Sequence, residues 1–172
     1  MNNETAPTPI GRPELALYHP NAKNSGSAVR FAVIPATYDH DGSLRLVIAK
    51  QQSVAGPTGG WAAFDWANAA TVKLAFVEVA EFLAVLGGQA SVLAHAGKEG
   101  LFHNTPAATT SIAFKRSEDP CRPGFLLGVG HTPKADPNAR QYHTFAFTPA
   151  EALGLRLALT AKMGELAFGK EA

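Results

Sequence analysis

Cysteine is all but absent, Cys121 being the only one. A single thiol makes neither an intrachain disulfide nor a cysteine zinc centre, so a cytoplasmic protein is the simplest expectation. Long apolar runs are missing too. None approaches the ~18 residues needed to span a bilayer, and residues 1–13 are polar, without the apolar stretch of a signal peptide. Charge is sparse, at 17% of residues, and its balance is only +1, which argues neither for nor against a polyanionic partner. A mild basic bias exists where Lys115, Arg116, Arg122, Lys134 and Arg140 meet only Glu118, Asp119 and Asp136. Signatures of chemistry are lacking as well. There is no Gly-x-Ser-x-Gly elbow and no phosphate-binding Walker loop. Gly128–Val129–Gly130 lacks the further glycine and helix of a dinucleotide fingerprint, and is read as a close approach of strands. His19, His40, His95, His103, His131 and His143 do not pair at metal-ligand spacing. Cys121 reads as an inert loop thiol. Glu78 and Glu81 fall on the polar side of a predicted helix, where solvent accounts for them. No enzyme, metal or cofactor is expected.

What is present is alternation. In Ala28–Pro35 (AVRFAVIP), Val29, Phe31 and Val33 share one face, with Arg30, Ala32 and Ile34 on the other. The Asp39–Gly42 string (DHDG) signals a turn, with Asp-Gly favouring positive φ. Ser43–Gln52 then sets Leu44, Leu46 and Ile48 against Arg45, Val47, Ala49 and Gln51, so the two runs predict a hairpin. Gly56, Pro57, Gly59 and Gly60 mark another turn. Trp61–Trp66 (WAAFDW) and Thr71–Ala75 are the third and fourth strand candidates. In Phe76–Leu86 the period lengthens: Val79, Phe82, Leu83 and Leu86 form one helical face, closed by Gly87–Gly88 as a left-handed cap. The second half repeats the plan. Ser91–Ala94, Thr109–Lys115, Gly124–Val129 and Gln141–Phe147 are strand candidates, and Phe102–His103 reads as a packing pair after the helix. Thr148, Pro149 and Glu151 open a second helix with a capping box. That helix runs to about Phe168, with Leu153, Leu157, Leu159, Met163 and Leu166 as its apolar surface.

The expected fold is therefore α+β: two antiparallel four-stranded sheets, each followed by a helix. Residues 1–14 form a disordered tail, and 15–172 a single domain in two halves, about 15–88 and 89–172. Each sheet has one covered face and one free face for function to use.

Several strings resemble the Whirly family of single-stranded-DNA-binding proteins. Phe64–Asp65–Trp66 followed by TVKLAFVEVAEFLAVLG is similar to the family's aromatic-Asp-Trp segment, next strand and first helix. Phe102–His103–Asn104 resembles its Phe-His-Asp segment, and Leu17–Tyr18 the approach to its first strand. The likeness extends over most of residues 15–169. One departure stands out: where plant members carry a basic Lys-Gly-Lys-Ala-Ala-Leu string, this chain reads NAKNSGSAVRF, with Lys23 and Arg30 its only bases. The resemblance implies a homotetramer that binds single-stranded DNA, and RNA as a close variant, across its sheets and between protomers. It would act in replication, recombination or transcription, and in a bacterium would associate with the nucleoid.

Sequence-tolerant binding of single strands needs rings for bases to stack on and Lys or Arg to follow the phosphates. The candidates are Trp61, Phe64 and Trp66 for stacking, with Phe64 and Trp66 on one strand face and Trp61 opposite. Arg30, Arg45, Lys50, Lys73, Lys115 and Arg116 are the candidates for phosphate contact. The bland reading is that the rings are core and the bases guard strand edges. The competing function is a protein-interaction module of the same fold, favoured by the near-neutral charge. An enzyme with a site assembled across protomers is the remote third.

Overall fold

The computed structural model describes residues 14–56 and 60–169. Residues 1–13 of the expected tail, and the expected turn at Pro57 and Gly59, lie outside the described residues.

The elements in order are β1 (Leu15–His19), β2 (Ser27–Ile34), β3 (Ser43–Ser53), β4 (Ala63–Phe64), β5 (Ala70–Ala75), α1 (Phe76–Leu86), β6 (Ala94–His95), β7 (Lys98–Glu99), β8 (Leu101–Asn104), β9 (Ala108–Arg116), β10 (Phe125–Pro133), β11 (Gln141–Phe147) and α2 (Pro149–Phe168). The α+β class stands. The first sheet, however, has five strands. It runs β1-β2-β3, and both β5 and β4 pair with β3. The second sheet has four, in the order β8-β9-β10-β11.

Two strand assignments need correction. The stretch 61–66 contributes only Ala63–Phe64 as strand. The Asp65 carboxylate accepts from the backbone N–H and side-chain amide of Asn68 at 2.9–3.2 Å, which bends the chain away from β3. The fourth full strand of the sheet is Leu15–His19, whose Leu17 packs against the core. In the second half, 91–94 supplies isolated bridges from Val92 to Lys115 and from Ala94 to Gly100, and the start of a small hairpin, β6–β7. That hairpin turns on Ala96 and Gly97 at φ 49° and 78°. The segment is thereby used up, and the first strand of sheet 2 is Leu101–Asn104 instead.

The Asp-Gly signal also plays out differently. The β2–β3 connection is an open loop, and Gly42 does not take positive φ. It is glycine because the C-terminal turn of α2 lies on it. A Cβ there would sit 2.3 Å from the Leu166 carbonyl oxygen and 2.7 Å from its Cα. The neighbouring Ala36 N–H donates to the Glu165 carbonyl at 3.0 Å, fixing this approach.

Helix α1 buries Val79, Phe82, Val85 and Leu86, with Leu83 half-buried, close to the expected face. Gly88, not Gly87, takes the left-handed cap position. Helix α2 starts at the expected capping box. Its buried stripe is Ala152, Leu155, Leu159 and Leu166, whereas Leu153 and Leu157 are exposed. At ~100° per residue these buried positions share one side of the helix, and 153 and 157 fall on the other side. The core is continuous between the halves. Phe82 of α1 stacks on Phe114 of β9 at 3.9 Å, Phe114 meets Phe147 of β11 edge-on at 6.0 Å, and Phe147 reaches Phe31 of β2 at 6.2 Å.

Gly42→Ala tests the loop–helix contact. It is expected to cost about 1–3 kcal/mol, by the overpacking of a closed site, and to lower the urea midpoint without changing the m-value.

Candidate nucleic-acid interface

Alternation decides what each sheet presents outward. In sheet 1, Leu44, Leu46, Ile48, Val72 and Leu74 go inward. Arg30, Arg45 and Lys73 therefore go outward. Ala32, Arg45 and Lys73 lie side by side in register, and Arg30 is aligned with Val47 one row along. Two cations directly opposite each other on neighbouring strands repel. Glu14 relieves this by accepting from the Arg45 guanidinium. Lys73 has no ion pair among the described residues and is exposed.

The next rows of this face are floored with small residues. Tyr18 pairs with Ala28, and Ala28 with Ala49. Phe64 and Trp66 lie over that floor. Their rings are 6.4 Å apart, and Tyr18 is 5.5 Å from Phe64 and 6.4 Å from Trp66. Ala28 and Ala49 are fully buried beneath, because only a methyl group leaves room for rings at sheet level. The Arg30 guanidinium stacks on Trp66 at 3.7 Å, which holds a cation and an indole in one fixed unit. Phe64 and Trp66 are half-buried in this surface cluster and are not members of the core. Trp61 stands away from them, 96% exposed. Tyr18 is a further ring of this cluster, absent from the sequence candidates; the alternation of Leu15 and Leu17 against Ala16 and Tyr18 is its signal in the sequence.

The other candidate bases lie elsewhere. Lys50 follows Leu44, Leu46 and Ile48 in phase, so it leaves the sheet on the inward side, at the rim beside His143. Lys115 is on the outer face of sheet 2, in register with Leu126. Arg116 ends β9 and lines a cleft of about 260 Å³ with Glu118 and Asp119. Structure thus gathers Arg30, Arg45, Lys73, Phe64 and Trp66 on one face, and disperses Trp61, Lys50, Lys115 and Arg116. The outer face of sheet 2 adds residues absent from the candidates: Phe102, Tyr142 and Arg140. Tyr142 lies along Gly128 and Gly130, where a Cβ would come within 2.1 Å of its hydroxyl and 3.3 Å of its ring. Gly128 makes room for that ring, whereas at Gly130 the nearest group is the Ser111 hydroxyl of the neighbouring β9, 2.7 Å from a Cβ there. The Arg140 guanidinium sits 5.7 Å from the same ring.

Glu78 and Glu81 are not free in solvent. His103 donates from Nε2 to Glu78 at 2.7 Å, and His95 from Nδ1 to Glu81 at 2.8 Å. Glu78 also accepts from the Ala75 N–H as the cap of α1. Glu151 does the same for α2, accepting from Thr148 and from His19 Nε2 at 2.7 Å. Burial pushes the Glu151 carboxyl up, but the Thr148 N–H, His19 and the Thr148 hydroxyl outweigh it and hold it below its usual 4.5. Phe102 and His103 are strand residues on opposite faces of β8, not a packing pair. Among the described residues, no group of three or more His, Cys, Asp or Glu side chains is arranged to hold a metal ion, and no helix is long and apolar enough to cross a membrane.

The sequence matches no protein-family model and no curated protein. Its fold is nevertheless found among solved structures. The Whirly protein WHY3 of Arabidopsis thaliana is 15% identical, with a TM-score of 0.64 over 92% of this chain and 90% of that one. WHY1 of Arabidopsis thaliana is 15% identical, with a TM-score of 0.61 over 90% and 85%. MRP1/MRP2 of Trypanosoma bruciei is 18% identical, with a TM-score of 0.62 over 92% and 96%. The chain has the Whirly-like fold.

His143 supports a test of how the aromatic segment is seated. It is buried, its Nδ1 has no hydrogen-bond partner among the described residues, and burial, with help from Lys50, lowers its pKa from 6.5 against the opposing Asn68 carbonyl and Asp65. A lowered folded pKa means the unfolded chain takes up the proton first. The stability that neutral His143 contributes is complete above 6.5 and is lost as pH falls below it through the folded value. Denaturation midpoints should drop over that interval, and His143→Leu should flatten the difference.

Proposed function

We propose that this chain binds single-stranded nucleic acid with little sequence preference, through the outer faces of its sheets, as a homo-oligomer. One observation carries the reading: Tyr18, Phe64 and Trp66 form a solvent-facing aromatic cluster, with Arg30 stacked on it and Arg45 and Lys73 alongside. Rings at sheet level offer flat surfaces to unpaired bases, and the adjoining cations accompany the phosphates. A duplex hides its base faces inside the stack and gains only the electrostatic part. The Whirly-like fold supports the same reading, since the resemblance implies single-stranded DNA as ligand and a tetramer as the assembly. Phe76, Val77, Leu153 and Leu157 are exposed on α1 and α2, an apolar helix surface suited to self-association. Replication, recombination or transcription in the cytoplasm or nucleoid is the setting we assign. The near-neutral charge of +1 favours the rival reading, a protein-interaction module that ignores nucleic acid.

Anisotropy titrations with labelled oligo-dT and with duplex DNA, alongside a mass measurement in solution, decide between them. Oligo-dT is expected to bind more tightly than duplex. With about three phosphate contacts per protomer, its affinity should fall about 20-fold between about 50 and 200 mM salt. Lys73→Ala should reduce both affinity and salt slope while leaving stability within about 0.5 kcal/mol. No binding of either nucleic acid at low salt leaves the interaction module standing.

A further inference from the structure

The two halves repeat each other residue by residue at one place. Leu17–Tyr18–His19 in β1 and Leu101–Phe102–His103 in β8 do the same three things. Leu17 and Leu101 pack on the core. His19 and His103 each bind the carboxylate that caps the other half's helix, Glu151 and Glu78. Tyr18 and Phe102 stand between them on the outer faces. Even the floors correspond: Tyr18 is followed across the sheet by Ala28 and Ala49, and Phe102 by Ser111 and Gly130. The match ends at what lies beside the ring. Next to Tyr18 the chain supplies its own Phe64 and Trp66. Next to Phe102 there is open space, a cleft of about 570 Å³ bounded by the β6–β7 hairpin and β8.

The geometry points to this cleft as the seat of one unpaired nucleobase stacked on Phe102, a second subsite in the same protomer. The inference rests on the single-strand-binding reading and adds a location to it. Phe102 is 54% exposed and lines the cleft wall, so its ring is open to a ligand lodged there. Asn104, also in the lining, spends its carbonyl on the Thr109 hydroxyl at 2.8 Å. Its amide N–H groups have no acceptor among the described residues, and they suit a base carbonyl. Lys98 borders the cleft without an ion pair among the described residues, where a phosphate would pass. The hairpin wall is fastened to α1 by the His95–Glu81 pair. Charge selects the occupant further. The four strands of sheet 2 contain no Asp or Glu and carry Lys115 on the outer face, with Arg140 directly before β11; Glu99, beside Lys98 in the hairpin, is the acidic neighbour of the cleft. A polyanion with flat apolar rings fits such a surface; an acidic peptide lacks the rings, and a neutral ligand leaves the bases unused.

The test is an anisotropy titration of labelled oligo-dT against the full chain and its Phe102→Ala, Phe102→Tyr, Lys98→Ala and Lys73→Ala variants, with a melt of each. Phe102→Ala is expected to weaken binding about 5- to 150-fold, the range for one stacked base. Phe102→Tyr should retain it, and Lys98→Ala should weaken it with an unchanged melt. If Phe102→Ala and Lys98→Ala bind like the unaltered chain while Lys73→Ala is weakened, the subsite is wrong and the sheet 1 reading survives. If the unaltered chain itself does not bind, both fall.

Discussion

The structure depends on one chain of aromatic contacts through its middle, Phe82–Phe114–Phe147–Phe31, which ties helix α1 to sheet 2 and sheet 2 to sheet 1. Neither sheet can bury its apolar face alone, so each half is completed by the other. The hydrogen bonds follow the same rule. Each helix is capped by a glutamate at its third residue, and each of these carboxylates also takes a histidine from the other half, His103 of β8 for Glu78 and His19 of β1 for Glu151. Glu78 and Glu151 therefore serve both as helix caps and as hydrogen-bonded links between the halves.

Turning Leu44, Leu46, Ile48, Val72 and Leu74 of sheet 1, and Ile112, Leu127 and Val129 of sheet 2, inward leaves the outer faces to whatever the alternate positions hold. Those positions hold small residues in the middle strands, Ala28 and Ala49 on sheet 1 and Gly128 and Gly130 on sheet 2, with rings lying across them. Small floors let rings lie flat at sheet level, and flat rings beside stacked guanidinium groups suit a chain of unpaired bases. The cost is visible in Arg45 facing Lys73 across a strand pair, an arrangement that stability alone does not favour.

Where the signal was local, the sequence was legible. Alternation located β2, β3, β5, β9, β10 and β11 and assigned Arg30 and Arg45 to the outer side. The capping box at Thr148–Glu151 and the glycines after Leu86 bounded the helices. Short or bent pieces were not legible. The WAAFDW string carries strand-forming residues, but the Asp65–Asn68 turn breaks it. Leu15–His19 is too brief to stand out until its partner β2 is known. Leu153 and Leu157 are as apolar as the residues that α2 buries, and only the neighbouring sheet decides which side of the helix it covers.

The amino-acid order by itself determined the class of fold, the two-fold repeat of strands and helix, and the inward and outward sets of each long strand, because periods of two and of 3.6 are written in consecutive residues. It could not determine which distant groups meet. That Glu78 and Glu81 are bound by histidines, that Trp66 returns to cover the outer face of sheet 1, and that Phe102 lines a cleft beside the β6–β7 hairpin are consequences of packing. Contacts between residues tens of positions apart arise only when the two halves close on their shared core, and no local pattern encodes that closure.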